Sequence, residues 1–419
     1  MKMIWFRKSS LGCSIALVAF WLVPLRASAI NVTVDCSGST PGAFTSLQAA
    51  INSLDVIGPH VITMANQPCT ETVRITDRQR LTIVGTGANS TVNGSLQDVI
   101  TIAGSTSITL NQINVTNGNR GIVIARNSEV TIQGCVTSNN VNAGLRIDTN
   151  STVSFLGASQ NNGGLGINVM DSTFTIRNSQ ITGNGSLGVQ IARSRATIDG
   201  SLGANVFSNN NGIGVFAVNG AWVLINAPNL IQNNQGTGLD VEDGASVRLI
   251  GGQGTNPVAN VIEGNSELGI NIPSGQVVMF FANKIHNNGF AADQFGAGIR
   301  VDDNGFLATL GPGVEITNNT GPGVDATNGG SLDLTATSVS NNSGDDLRLD
   351  GNANVAFFPP NTNTLTGNGG QAIRCDNTSV FLGDRTGLAD LDCRFTPFPP
   401  AEGRSRHRGM RASEQDGNN

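Results

Sequence analysis

From Gly121 onward the chain repeats one pattern: a small residue, then an apolar, a free and a second apolar position. It reads Gly121-Ile-Val-Ile, Gly144-Leu-Arg-Ile, Gly166-Ile-Asn-Val, Gly188-Val-Gln-Ile and Gly214-Val-Phe-Ala. It continues through Gly238, Gly269, Gly298 and Gly323 to looser copies at Asp346 and Ala372, with earlier copies at Thr72 and Asp98. The ten steps from Gly121 to Ala372 are 23, 22, 22, 26, 24, 31, 29, 25, 23 and 26 residues, a mean of about 25. Eight or nine residues after each small residue comes a second alternating run, such as Val130-Thr-Ile, Phe174-Thr-Ile or Val247-Arg-Leu. A third short run ends in asparagine, as in Ile231-Gln-Asn-Asn and Ile316-Thr-Asn-Asn. Period-2 alternation gives each run one apolar face.

A period of this length is the mark of a solenoid, because no single coil can bury its own apolar face. The predicted fold is all-β: a single-stranded right-handed parallel β-helix of about 12–13 coils, with three strands and three turns per coil. The long steps of 31 and 29 residues call for extra loops, placed near Gly251–Val258 and Gly289–Gly296. The asparagine pairs suit sharp turns and invite side-chain ladders along the axis. The candidate ladder is Asn139, Asn161, Asn184, Asn209, Asn233, Asn265, Asn287, Asn318, Asn341 and Asn368.

The ends break the pattern. Residues 1–29 read as a signal peptide: Lys2, Arg7 and Lys8, an apolar run from Leu11 to Val23, then Ala27-Ser28-Ala29. Residues 30–70 read as an N-terminal cap. Thr45-Ser46-Leu47-Gln48 fits a capping box, and Leu47, Ala50, Ile51 and Leu54 share one face of a short amphipathic helix. Residues 71–396 form the β-helix, and 397–419 read as a disordered polar tail.

Composition fits this reading and narrows the partners. The chain has 53 Gly, no Tyr and 13% charged residues. Its formal charge of −6 becomes −10 once Lys2, Arg7, Lys8 and Arg26 leave with the signal. An acidic chain without a basic stripe argues against nucleic acid. After cleavage no stretch is long enough to span a bilayer. The expected location is extracellular or periplasmic, with a polysaccharide or cell-surface glycan as partner, no cofactor, no metal, and a monomeric state. Export permits disulfides, and the positions of the cysteines predict Cys36–Cys69 and Cys375–Cys393, leaving Cys135 for the core.

The opening Phe44-x-Ser46-Leu47-Gln48-x-Ala50-Ile51, then Glu71-x-Val73-x-Ile75 and Leu81-x-Ile83-x-Gly85, resembles the start of pectin-lyase-like proteins. The resemblance covers about residues 31–395 and implies the fold; the superfamily holds lyases, hydrolases, esterases and epimerases of polysaccharides. None of their catalytic blocks transfers. There is no R-x-P-x-x-R, no G-x-x-D-F-I-F-G and no D-P-H-D; Asp302-Asp303 and Asp345-Asp346 stand without a G-H-G or an R-I-K.

Stacking places outward residues of the first strand in columns. One runs Arg146, Asn168, Gln190, Phe216, Asp240, Asn271, Arg300, Asp325, Arg348, Arg374. Two residues on, a second holds Glu242 and Asp302. Asp240, Glu242, Arg300, Asp302 and Asp325 are therefore the candidate groove, since paired carboxylates serve glycosidic chemistry and arginine holds a uronate. The plain alternative is a surface lattice of opposite charges. Trp222 falls in a second strand, where a core place is the simple expectation, and His286 occupies an outward filler slot. An ice-binding face would need a flat threonine array, which the sequence does not display. Two functional readings remain open: a non-catalytic secreted binding or structural module, or a lyase, hydrolase or epimerase of acidic polysaccharide with an unrecognised site.

Overall fold

The computed structural model describes residues 29–396, apart from 256, 290–295, 359–362, 367–368 and 384–392. The signal peptide and the polar tail therefore lie outside the described residues, as do Asn368 and most of the predicted loop after Gly289. The chain is an all-β parallel solenoid of about 13 turns with one short helix. Thirteen strands, from Val73–Thr76 to Ile373–Cys375, form one parallel sheet, one strand per coil. The second and third strands of each coil make a larger parallel sheet.

Alternation within strands becomes a continuous core once coils stack. Ile100, Ile122, Leu145, Ile167, Val189, Val215, Leu239, Ile270, Ile299, Val324, Leu347 and Ile373 align rung on rung, all buried. Each such side chain is worth about 1.5–3 kcal/mol of burial. The repeated glycines lie along one edge because a side chain has no room there. A Cβ on Gly269 would fall 2.5 Å from the Gly298 carbonyl oxygen and 2.8 Å from the Asn288 amide. The predicted long loop falls between the strands Ser246–Ile250 and Asn260–Glu263, with residue 256 outside the described residues.

The asparagine ladder is displaced by one residue from the predicted one in most coils. The stacked residues are Asn140, Asn162, Asn184, Asn210, Asn234, Asn265, Asn288, Asn319 and Asn342, joined amide to carbonyl at 2.9–3.1 Å. Asn139, Asn161, Asn209, Asn233, Asn287, Asn318 and Asn341 instead take the left-handed turn, with φ of 53° to 57°. Asn184 and Asn265 were correctly placed because Gly183 and Gly264 take that turn for them. A second buried ladder, Asn205–Asn229–Asn260–Asn283, was not foreseen.

The helix Leu47–Ser53 buries Leu47, Ala50 and Ile51. Its start is not the predicted capping box. Ser46 is the N-cap and accepts from the Ala49 N–H. The carboxylate comes from Glu71, which takes the N–H groups of Leu47 and Gln48 at 2.7 and 3.1 Å and the Ser46 hydroxyl at 2.8 Å. Both predicted disulfides are present, and Cys135 is free and buried.

Candidate functional site

The predicted outward column is aligned by the sheet register from Arg146 through Asp240 and Arg300 to Arg374. The five candidate residues divide into two groups within it. Asp240 lies in the strand Leu239–Val241 and Glu242 directly follows it, and Arg300, Asp302 and Asp325 sit further along, beyond Asn271. Three rungs separate Asp240 from Asp325, about 14 Å at the usual inter-strand spacing.

Asp240 is 6% exposed and accepts from the Asn271 amide at 3.2 Å. Burial, then the charges of Glu242 and Glu267, pushes its carboxyl up to about 7. Glu242 is raised too, by burial and by Asp243. The second group is neutralised pairwise. Arg300 contacts Asp302 at 3.0 Å, and Arg348 grips Asp325 with two bonds of 2.8 and 2.7 Å. Burial raises Asp325 despite Arg348, whereas for Asp302 the Asp303 N–H, the Asn328 amide and Arg300 outweigh burial and hold it low. At this face the chain offers an acid pair whose affinity for protons is raised by burial, and a set of ion pairs.

The histidines offer less. His286 stands between Glu263 and Thr317 as predicted; its Nε2 faces Glu263 at 3.2 Å and its Nδ1 faces the Asn287 amide at 2.8 Å, so both nitrogens are engaged. His60 is buried beside Ile51, Leu54 and Arg78, with neither nitrogen hydrogen-bonded. Cys36, Cys69 and Glu71 come together at metal-binding distances, but the two sulfurs are joined to each other and Glu71 holds the helix start. Burial pushes the Cys135 thiol up to about 11, which keeps it inert.

Two features escaped the sequence reading. Trp222 is not core: it faces outward, half-buried, with the Arg195 guanidinium 4.4 Å above its ring. Beside it lies an open depression of about 770 Å³ lined by Arg146, Arg193 and Arg195. The expectation of no threonine array is also corrected. Thr82, Thr109, Thr131, Ser154, Thr175 and Thr197 form one outward column on the larger sheet. The signal was present as a hydroxyl residue between two apolar ones in successive second strands, as in Val130-Thr-Ile and Val153-Ser-Phe.

The family model for the right-handed beta helix region matches residues 68–202 and 99–253. With the coil geometry, it marks residues 68–253 as a right-handed parallel β-helix region. No curated protein matches. Among solved structures, the chain is similar to the A-module of Azotobacter vinelandii mannuronan C-5 epimerase AlgE6, at 16% identity over 77% of this chain and 94% of that one, with a TM-score of 0.43. The AlgE4 A-module of the same organism gives 12% identity, 84% and 93% coverage, and 0.43. Pectate lyase Pel9A gives 14%, 82% and 80%, and 0.37. At such identities the activities of those proteins do not pass to this chain.

Proposed function

We propose that the protein is a secreted, monomeric β-helix module that binds a polysaccharide or cell-surface glycan without turning it over. The observation that carries this reading is charge closure. Arg146–Asp148, Arg300–Asp302 and Arg348–Asp325 pair on the face where a catalytic groove would lie, which engages these arginines with neighbouring carboxylates rather than with a substrate. The two disulfides suit an oxidising compartment. No helix among the described residues is long and apolar enough to cross a membrane. In this reading residues 1–29 direct export, the helix Leu47–Ser53 closes the first coil within a cap spanning 30–70, residues 71–396 form the binding rod, and 397–419 form a polar tail.

A second reading has its own observation: Glu242, just past the strand that holds Asp240, lies near enough for its charge to raise the Asp240 carboxyl. An acid with an elevated pKa beside a carboxylate is the pairing that glycoside cleavage uses. One experiment separates the two. Purified protein is incubated with acidic and neutral polysaccharides while unsaturated products and reducing ends are followed. The first reading expects retention on a glycan without products. Product formation that disappears in Asp240→Asn would replace it with the enzymatic reading.

A further inference from the structure

The depression beside Trp222 spans from the first-strand face, where Arg146 stands in the same outward column as Asp240 but four rungs away, to the second strand at Thr173 and Arg195, and its charge is unlike the rest of the molecule. Three arginines meet two aspartates there. Arg146 pairs with Asp148, and Arg193 grips Asp171 of the preceding coil with bonds of 2.8 and 2.9 Å. Among the described residues Arg195 has no carboxylate partner; it stacks on the Trp222 ring. The lining therefore carries a net charge of +1 in a chain of −6. Stacking on an indole leaves the edge of the guanidinium fork free to donate, and holds the side chain in place.

Arg195 also stands in register with Thr173 on the coil before it. Two residues along the same strand begins the hydroxyl column, with Thr131, Ser154, Thr175 and Thr197 on successive rungs. Among the described residues these hydroxyls find no hydrogen-bond partner. That contrasts with Ser128, Ser151, Ser172 and Ser194, whose oxygens each accept a backbone N–H from the preceding coil. The outward row presents one donor-acceptor group per coil, about 4.8 Å apart. That spacing is on the scale of one sugar unit in an extended chain.

We propose that the Arg146–Arg193–Arg195 depression and the adjoining hydroxyl column form a binding track for a linear anionic polysaccharide lying along the solenoid axis. Arg195 takes a carboxylate or sulfate on its free edge, and the hydroxyls of Thr131, Ser154, Thr175 and Thr197 meet successive sugars. The track ends at the Trp222 coil, where Leu224 replaces the next hydroxyl. This inference rests on the glycan-binding reading and gives it a place and a ligand class.

The test is affinity electrophoresis and tryptophan emission of the full chain with polygalacturonate, dextran sulfate and neutral dextran as probes. The wild type is expected to bind an anionic polymer, to ignore dextran, and to weaken as salt rises; the two anionic probes separate carboxylate from sulfate recognition. Arg195→Gln should lose tenfold or more in affinity, and Thr175→Val with Thr197→Val several-fold. Lys284→Gln, which alters an exposed ion pair on a distant coil, should bind as wild type. Binding should change the emission, and Trp222→Phe should remove that change. If polymer binding persists at full strength in Arg195→Gln and in the threonine variant, the track is wrong while the glycan-binding reading stands. If the wild type binds no polysaccharide, both fall. Thermal hysteresis in freezing solution without polysaccharide binding would overturn the proposal and mark the hydroxyl column as an ice-facing surface.

Discussion

Asn234 shows what one residue contributes to a stacked rod. Its oxygen accepts from the backbone and side-chain amides of Asn210, and its amide donates to Asn265 and to the Phe207 carbonyl. Asn234→Asp keeps the shape and the acceptor but loses both donor bonds and sets a buried charge against two carbonyl oxygens. Each buried group left without a partner costs about 1–3 kcal/mol. We expect a lowered thermal midpoint in Asn234→Asp, readable by circular dichroism, and little change in Asn233→Gly, whose position needs only the left-handed turn.

Asp240 adds a pH dependence at the same scale. Its folded pKa, about 7, lies above the unfolded value, so the fold favours the protonated form. Its contribution is complete below about 4, shrinks as pH rises, and is lost through about 7. Stability should therefore fall between about pH 4 and pH 7, and Asp240→Asn should flatten that slope and raise the midpoint above pH 7. A slope unchanged by the substitution would remove Asp240 as its source.

At the scale of the element, the seven-residue helix is too short to persist on its own. It is held by its buried face and by Glu71, which arrives from outside the helix to satisfy the exposed N–H groups at its start. Glu71→Ala should destabilise the N-terminal region by about 1–2 kcal/mol, the usual cost of losing such a cap. Hydrogen exchange at Leu47 and Gln48 should quicken while the central coils keep their protection. The misplaced capping box has a simple cause: the motif looks three residues ahead, and the carboxylate stands 24 residues beyond Leu47.

For the whole molecule, each coil touches only its neighbours, so stability is close to a sum over coils and interfaces. Removing one full period, residues 186–211, would place Gly212 directly after Gly185 and bring Asn234 under Asn184 in the ladder. This 26-residue deletion should retain a cooperative β-sheet spectrum. Deleting 13 residues from the same point should not, because every apolar column beyond it would lose its register.

The period, the inward columns, the edge of glycines, the rungs that align Asp240 with Arg300, and both disulfides were legible in the sequence. Each follows from alternation inside a strand and from the size of the coil, which are local properties. What only the stacked structure decided was how neighbouring coils meet at the turns and outer faces. It chose which asparagine of each pair bonds along the axis, carried Glu71 to the helix, split the five candidate residues into two groups, and set Arg195 over Trp222 beside a free row of hydroxyls. These depend on cross-coil distances and on left-handed turns that shift the chain by one residue, and no window of consecutive residues contains them.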